Sequence, residues 1–123
     1  MMMRIALICV LVACSHPQPR SPYDELERRT DRVVAAMDRL VASLHAASDC
    51  SQMAFALRQF SRYATEIGEL DGMRSALPRG ERERFDYDHE DDREMLDHVR
   101  AAAERCMTDR ETHLAYEAAG FMH

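Results

Sequence analysis

The chain has 123 residues, which is enough for one domain with a single core and too few for two. The chain has 16 Arg and no Lys, so chemistry that needs a catalytic lysine, including Schiff-base formation, is excluded. The formal charge is −6 and no separate basic patch is present, which argues against nucleic-acid binding, because phosphate neutralisation supplies most of that affinity. The composition, 46% hydrophobic and 31% charged with only four Gly and four Pro, is typical of a helical domain.

The first residues have the organisation of a bacterial export leader. Arg4 gives a short positive start, and residues 5–13 form an uninterrupted apolar run. A membrane-spanning helix needs about 20 such residues, so this run has the size of a signal peptide and is too short for a permanent span. The run ends in Leu11-Val12-Ala13-Cys14, which resembles the lipobox of bacterial lipoproteins at every position.

The resemblance to bacterial lipoproteins covers only this leader and its cysteine. It implies that residues 1–13 are removed as a signal peptide and that the Cys14 sulfur carries a diacylglycerol. Two or more acyl chains anchor a protein stably to a membrane. Ser15 stands where an inner-membrane retention signal would place Asp, so we expect an outer-membrane anchor with the domain facing the periplasm. An ordinary secretory leader is the alternative.

The segment after the lipobox is expected to be a tether, residues 14–22. Its sequence from Ser15 to Pro22 is SHPQPRSP, with three prolines. Proline prevents a helix and favours an extended chain. The helical domain is therefore assigned to residues 23–123.

The first helix is predicted over Tyr23–Ala47. Pro22 suits a helix start, and acidic residues favour the first turn. Apolar or small residues then recur at alternating steps of four and three, which is the pattern of a face that packs on other helices. These residues are Leu26, Thr30, Val33, Met37, Leu40, Leu44 and Ala47.

The second helix is predicted to begin after Asp49, because Asp49 and Gln52 have the spacing of a capping box. A connection this short makes the first two helices antiparallel neighbours. Gly68 and Gly72 weaken the helix before Pro78 ends it. The expected core stripe is Met53, Leu57, Phe60, Ala64 and Ile67.

The remainder of the chain is predicted as a charged connector and a third helix. The connector covers Arg79–Asp92, and ten of its 14 residues are Asp, Glu or Arg. The third helix begins by about Asp91 and either continues to Ala119 or breaks near Met107, where Thr108–Glu111 forms another possible capping box. Gly120 resembles a C-terminal cap, with Phe121 packing back towards Tyr116. Core candidates in this part are Met95, Leu96, Val99, Ala103 and Cys106.

These elements predict an all-α fold, a small antiparallel bundle of three to four helices with one disulfide. Cys9 leaves with the leader and Cys14 takes the lipid, so Cys50 and Cys106 remain, in a compartment where disulfides persist. Each lies 28 residues from Pro78, which places the two at similar height in a hairpin that turns there and whose third helix begins near Glu81. Two free thiols are the alternative, and a redox role lacks a Cys-x-x-Cys motif.

The sequence contains candidate ligands for a metal ion and for haem. Glu90, Glu94 and His98 would share one helical face and could hold a divalent ion weakly, but the His-Glu-x-x-His motif is missing and a solvated charged face is the competing interpretation. Non-covalent haem could use Met37, Met53 and His113 as ligands, but a Met at helical spacing usually packs in a core. No cofactor is therefore expected.

The sequence contains no nucleophile elbow and no phosphate-binding glycine loop, so no catalytic residues are assigned. We expect a non-enzymatic lipoprotein of the cell envelope, held to the membrane by its lipid, whose helical domain binds an envelope protein or has a structural role. The alternative is a periplasmic bundle that binds a metal or another ligand weakly. The partner and the oligomeric state are left open.

Overall fold

A computed structural model describes residues 20–121, so the predicted leader, the lipobox with Cys14 and most of the tether lie outside the described residues. Within 20–121 all the regular elements are helical, which confirms the all-α prediction. The α-helices are α1 (Pro22–Ala46), α2 (Cys50–Phe60), α3 (Ala64–Ser75), α4 (Arg79–Asp88), α5 (Asp92–Ala103) and α6 (Arg110–Ala118). Single 3-10 turns follow α2 at Ser61–Tyr63 and α5 at Glu104–Cys106. In this part of the chain, none of the helices combines the length and apolar character needed to cross a bilayer.

Side-chain caps set the first two helix starts. Ser21 lies one residue before Pro22, where α1 begins, and its hydroxyl accepts a hydrogen bond from the Asp24 backbone N–H at 3.1 Å. The Asp49 carboxylate accepts the Gln52 N–H at 2.8 Å. The Gln52 side chain in turn accepts the Ser48 N–H at 2.8 Å, so the reciprocal capping predicted here is present, with its return bond one residue earlier than the motif requires.

The C-terminal part of the chain contains a break and a separate short helix. The Asp109 carboxylate accepts the Thr112 N–H at 3.0 Å and starts α6 after the 3-10 turn. Gly120 has φ +88°, a conformation that glycine adopts without strain, and it ends the helix. The Phe121 and Tyr116 rings then pack with centroids 5.3 Å apart. Of the two alternatives, the broken helix is confirmed.

Two segments differ from the prediction. The second helix is not continuous, because the 3-10 turn at Ser61–Tyr63 divides it into α2 and α3. The charged connector forms a separate helix over Arg79–Asp88, so a connector extending to about Asp91 is wrong, and the start near Glu81 favoured by the cysteine positions is close to the observed one. The many charged residues of this segment gave no apolar pattern, but one side chain, Phe85, is only 6% exposed and packs α4 against the rest of the domain.

The bundle is organised around α1, the longest helix. Arg29, near the start of α1, pairs with Glu69 of α3 at 2.6 Å. Arg105 donates to the Ala47 carbonyl at 2.6 Å, at the other end of α1. Since α2 starts beside that end and α3 lies beside the start, the second helical run is antiparallel to the first, as predicted. Packing is most extensive between α2 and α6 and between α1 and α5.

The predicted apolar stripes are largely buried. Leu44, Met53, Leu57 and Val99 are fully inaccessible and form the centre of the main buried cluster. Leu96 is wrong as a core residue, because its side chain is 48% exposed.

The predicted disulfide joins Cys50, at the start of α2, to Cys106, in the 3-10 turn after α5, with a Cα–Cα distance of 5.5 Å. The chain between the two cysteines does not form a single hairpin that turns at Pro78. The chain forms α4, turns at residues 89–91 and begins α5 at Asp92.

Candidate functional site

The buried residues form two clusters, and a groove lies between them. The main cluster occupies the middle of the bundle, and a second cluster consists of Tyr23, Leu26, Leu77 and Phe85. Residues of both clusters line a groove of about 410 Å³. Ligand sites in proteins commonly measure about 300–1,000 Å³ and often lie between the helices of a bundle. We call this space the groove below.

The floor of the groove is apolar and is contributed mainly by α1. Its residues recur at steps of three and four, so they share one face of α1, and α3 and α5 flank that face without packing closely on each other. The floor and walls include Leu26, Val33, Val34, Met37, Ile67 and Leu70. Leu96 of α5, which sequence analysis placed in the core, forms part of the edge.

Ion pairs hold α3 against α1 beside the groove. Arg29 contacts Glu66 at 3.4 Å and Glu69 at 2.6 Å, and Arg32 contacts Glu66 as well. Burial alone would raise the pKa of Glu66, but the hydrogen bonds and charges of Arg32 and Arg29 outweigh it and lower that pKa. The network therefore favours the charged carboxylate and keeps the two helices at a defined spacing.

A second ion pair joins α3 to α4 at the polar end of the groove. The Arg74 guanidinium donates to both oxygens of Asp86, at 2.6 and 2.5 Å. This two-point hydrogen bond from Arg74 lowers the pKa of Asp86, against the opposing effect of burial. Both side chains line the groove, so its polar end is held by a paired charge.

His89 is the most unusual polar residue at the groove. Its ring stacks on Phe85 with centroids 4.2 Å apart, and its side chain is 12% exposed. Nδ1 lies 2.8 Å from a carboxylate oxygen of Asp92. Nε2 is buried and makes no hydrogen bond. Every other buried side-chain nitrogen or oxygen between residues 20 and 121 has a hydrogen-bond partner. The Oε2 atom of Glu27, on α1, lies 3.5 Å from Nε2.

The residues considered as metal ligands do not come together. Glu90 lies in the turn between α4 and α5, whereas Glu94 and His98 lie on α5, and all three are exposed. In the described range 20–121, no three His, Cys, Asp or Glu side chains are grouped so that they could hold a metal ion.

The residues considered as haem ligands occupy different environments. Met37 and Met53 belong to the main buried cluster. His113 lies half-buried on α6.

Sequence analysis missed the groove and His89. One signal was available: Phe85 and His89 are four residues apart, the spacing that places two side chains on the same helical face. It was overlooked because the segment was interpreted as a charged connector with a solvated face. The pairing of Arg74 with Asp86 across a proline has no comparable signature in the sequence.

Comparison of the chain with protein-family models, with curated proteins and with solved structures found no match.

Proposed function

We propose that this chain is a lipid-anchored protein of the bacterial cell envelope whose helical domain is a non-enzymatic binding module. The leader and its Leu11-Val12-Ala13-Cys14 motif support the location, with the outer membrane favoured by Ser15. The Cys50–Cys106 disulfide is consistent with it, because disulfides persist outside the cytoplasm and are rare within it.

The groove is the observation that carries the binding role. It has an apolar floor on α1, charged groups at its edge and a size suited to a small molecule or a protruding side chain. The buried hydroxyl of Thr112 and the carboxylates of Asp86 and Glu66 are engaged in structural hydrogen bonds and ion pairs. These three polar groups therefore position helices, which fits a module that binds a partner or ligand.

The location is tested by intact-mass analysis of the protein from the membrane fraction of a bacterial host. We expect a chain that begins at Cys14 and carries a diacylglycerol and an N-terminal acyl group. Cys14→Ser should abolish both additions, whereas Cys9→Ser, the matched control within the leader, should leave them unchanged. An unmodified Cys14 thiol on the wild-type protein would refute the lipid anchor.

The binding role is tested with a photo-crosslinking residue at two exposed leucines. Leu96 lies at the groove edge and is 48% exposed, and Leu114 lies on α6 and is 52% exposed. In native envelopes, a groove-binding protein partner should be captured reproducibly from position 96 and not from position 114. Equal capture from both positions, or none, would argue against a protein partner at the groove and leave a small ligand as the candidate occupant.

A further inference from the structure

The charges at the groove are not balanced. Three carboxylates, those of Asp71, Asp86 and Asp92, line it together with the two guanidinium groups of Arg74 and Arg93. Glu27 does not line the groove itself, but its carboxylate lies 3.5 Å from the ring of His89, which does. An occupant with a positive charge therefore complements this end better than a neutral or anionic one.

The contact between His89 and Glu27 shows where such a charge would bind. Because Asp92 is a carboxylate, the Nδ1 atom of His89 carries the proton that lies between them. In the neutral ring, Nε2 is then an acceptor, and it faces the Glu27 carboxylate, which is also an acceptor. In that neutral state two acceptors lie 3.5 Å apart, and one of them is buried without a partner, whereas a protonated ring would itself donate from Nε2 to Glu27.

We propose that the groove binds a small cationic amphiphile, with its apolar body on the α1 floor and its protonated amine against Glu27 and His89. This inference rests on the proposed binding role of the groove and adds the chemical class of the ligand. An ammonium group has three N–H donors, enough for both acceptors. The Glu27 side chain is 43% exposed, so it is accessible to a ligand from solvent.

The test uses n-octylammonium, octanoate and octanol below their micelle-forming concentrations. These probes share one apolar chain and differ in head group. Since both buried clusters lie between residues 23 and 121, the chain from residue 14 with Cys14→Ser retains the whole core and avoids a membrane background. Binding is followed by NMR of side-chain methyl groups at Met37, Ile67 and Leu96.

We expect n-octylammonium to shift these methyl signals and to bind about tenfold more tightly than octanoate, the effect of one charge-assisted hydrogen bond. Glu27→Gln should reduce n-octylammonium affinity by about the same factor. Glu117→Gln, which removes an exposed carboxylate on α6, is the matched control and should leave affinity unchanged. Thr30→Phe places a ring in the groove and should block all three probes.

The alternative results separate the two proposals. If all three probes bind equally and Thr30→Phe blocks them, the groove is a ligand site but the cationic preference is refuted. If the preference for n-octylammonium survives Glu27→Gln, the assigned acceptors are wrong. If no probe shifts the methyl signals, or Thr30→Phe has no effect, the groove is not a site for small amphiphiles and the inference fails, while the lipid anchor is unaffected.

Discussion

At the scale of single residues, the Arg74–Asp86 pair is the contact that ties α4 to α3. The side chains are 34% and 30% exposed, so solvent screens the pair partially and its contribution is modest. The pKa of Asp86 is lowered in the folded protein. The pair therefore stabilises the fold above the ordinary carboxyl pKa of about 3.9, and the contribution is lost as the pH falls through the lower, folded pKa.

We predict that Asp86→Asn lowers the free energy of unfolding by about 1 kcal/mol at neutral pH. The deficit should disappear in acid, because the wild-type carboxyl is then protonated as well. Urea unfolding between pH 7 and pH 2 measures this, with Glu83→Gln as the control, since the Arg79–Glu83 pair is largely exposed. A deficit that stays constant into strong acid would show that the effect is not electrostatic.

Thr112 is another residue whose side chain connects separate parts of the chain. It is fully buried, and its hydroxyl lies 2.9 Å from an Asp109 oxygen and 3.2 Å from the Cys50 carbonyl. Thr112→Val keeps the shape but removes this donor, so we expect a loss of about 1–2 kcal/mol in the free energy of unfolding. Thr108→Val, at an exposed position, should change it by less than about 0.5 kcal/mol. Similar effects for the two variants would contradict the role of the Thr112 hydroxyl.

At the scale of elements, the effect of a glycine on stability depends on its position in the helix. Replacing a glycine by alanine is expected to destabilise the protein at a helix end and to stabilise it within a helix. Gly120 has φ +88° at the end of α6, whereas Gly68 lies within α3, where an added Cβ would meet no atom within 4 Å. Gly120→Ala forces a side chain into the left-handed region, although the nearest atom, Ala64 Cβ, leaves room at 3.6 Å. The expected effect is therefore conformational strain.

We predict that Gly120→Ala destabilises the domain by about 1–2 kcal/mol. Gly68→Ala should stabilise it by about 0.5–1 kcal/mol, because alanine loses less backbone entropy in a helix. Thermal unfolding followed by circular dichroism compares them directly. A stabilised Gly120→Ala variant would mean that the α6 end relaxes out of the observed conformation.

Element lengths in this protein follow from packing as well as from propensity. α4 carries a strongly charged sequence, and Phe85 is its single buried residue. The ring of Phe85 meets Tyr23 edge-on at 5.9 Å and stacks on His89, and these contacts stabilise a helix whose 10 residues are too few to be stable in isolation.

At the scale of the whole molecule, the disulfide closes a loop with a sequence separation of 56 residues. On the chain-entropy account such a loop contributes about 4 kcal/mol, a large fraction of the stability of a small domain. The bond joins the first turn of α2 to the 3-10 turn that precedes α6. Helices α2 and α6 are also the most extensively packed pair in the described part of the chain.

The double variant Cys50→Ser/Cys106→Ser should lose about 2–4 kcal/mol in the free energy of unfolding and melt more than about 10 °C lower. Adding a thiol reductant to the wild type should give the same loss, and adding it to the double variant should change nothing. A reductant-insensitive wild type would indicate that the two thiols are not bonded in the protein.

The sequence by itself determined the helical class, most helix starts and the cysteine pair. Those features depend on short-range relations: Asp49 caps the backbone within three residues, Gly120 ends a helix alone, and apolar steps of three and four define a buried face. The caps at Ser21 and Asp109 are equally local but were not predicted, since the last helix was expected to start from a capping box at Thr108–Glu111. Elimination among four cysteines identified the disulfide partners.

Only the tertiary structure decided that the charged connector is a helix separate from the one that follows it, that the second helix breaks at Ser61–Tyr63, and that Leu96 faces a groove. These outcomes depend on contacts between segments far apart in the chain. The contacts of Phe85 with Tyr23 and of Glu27 with His89 are examples. The free energy of such contacts cannot be predicted from the residues adjacent in the sequence. The groove exists because two buried clusters share α1 without merging, and that arrangement is a property of packing.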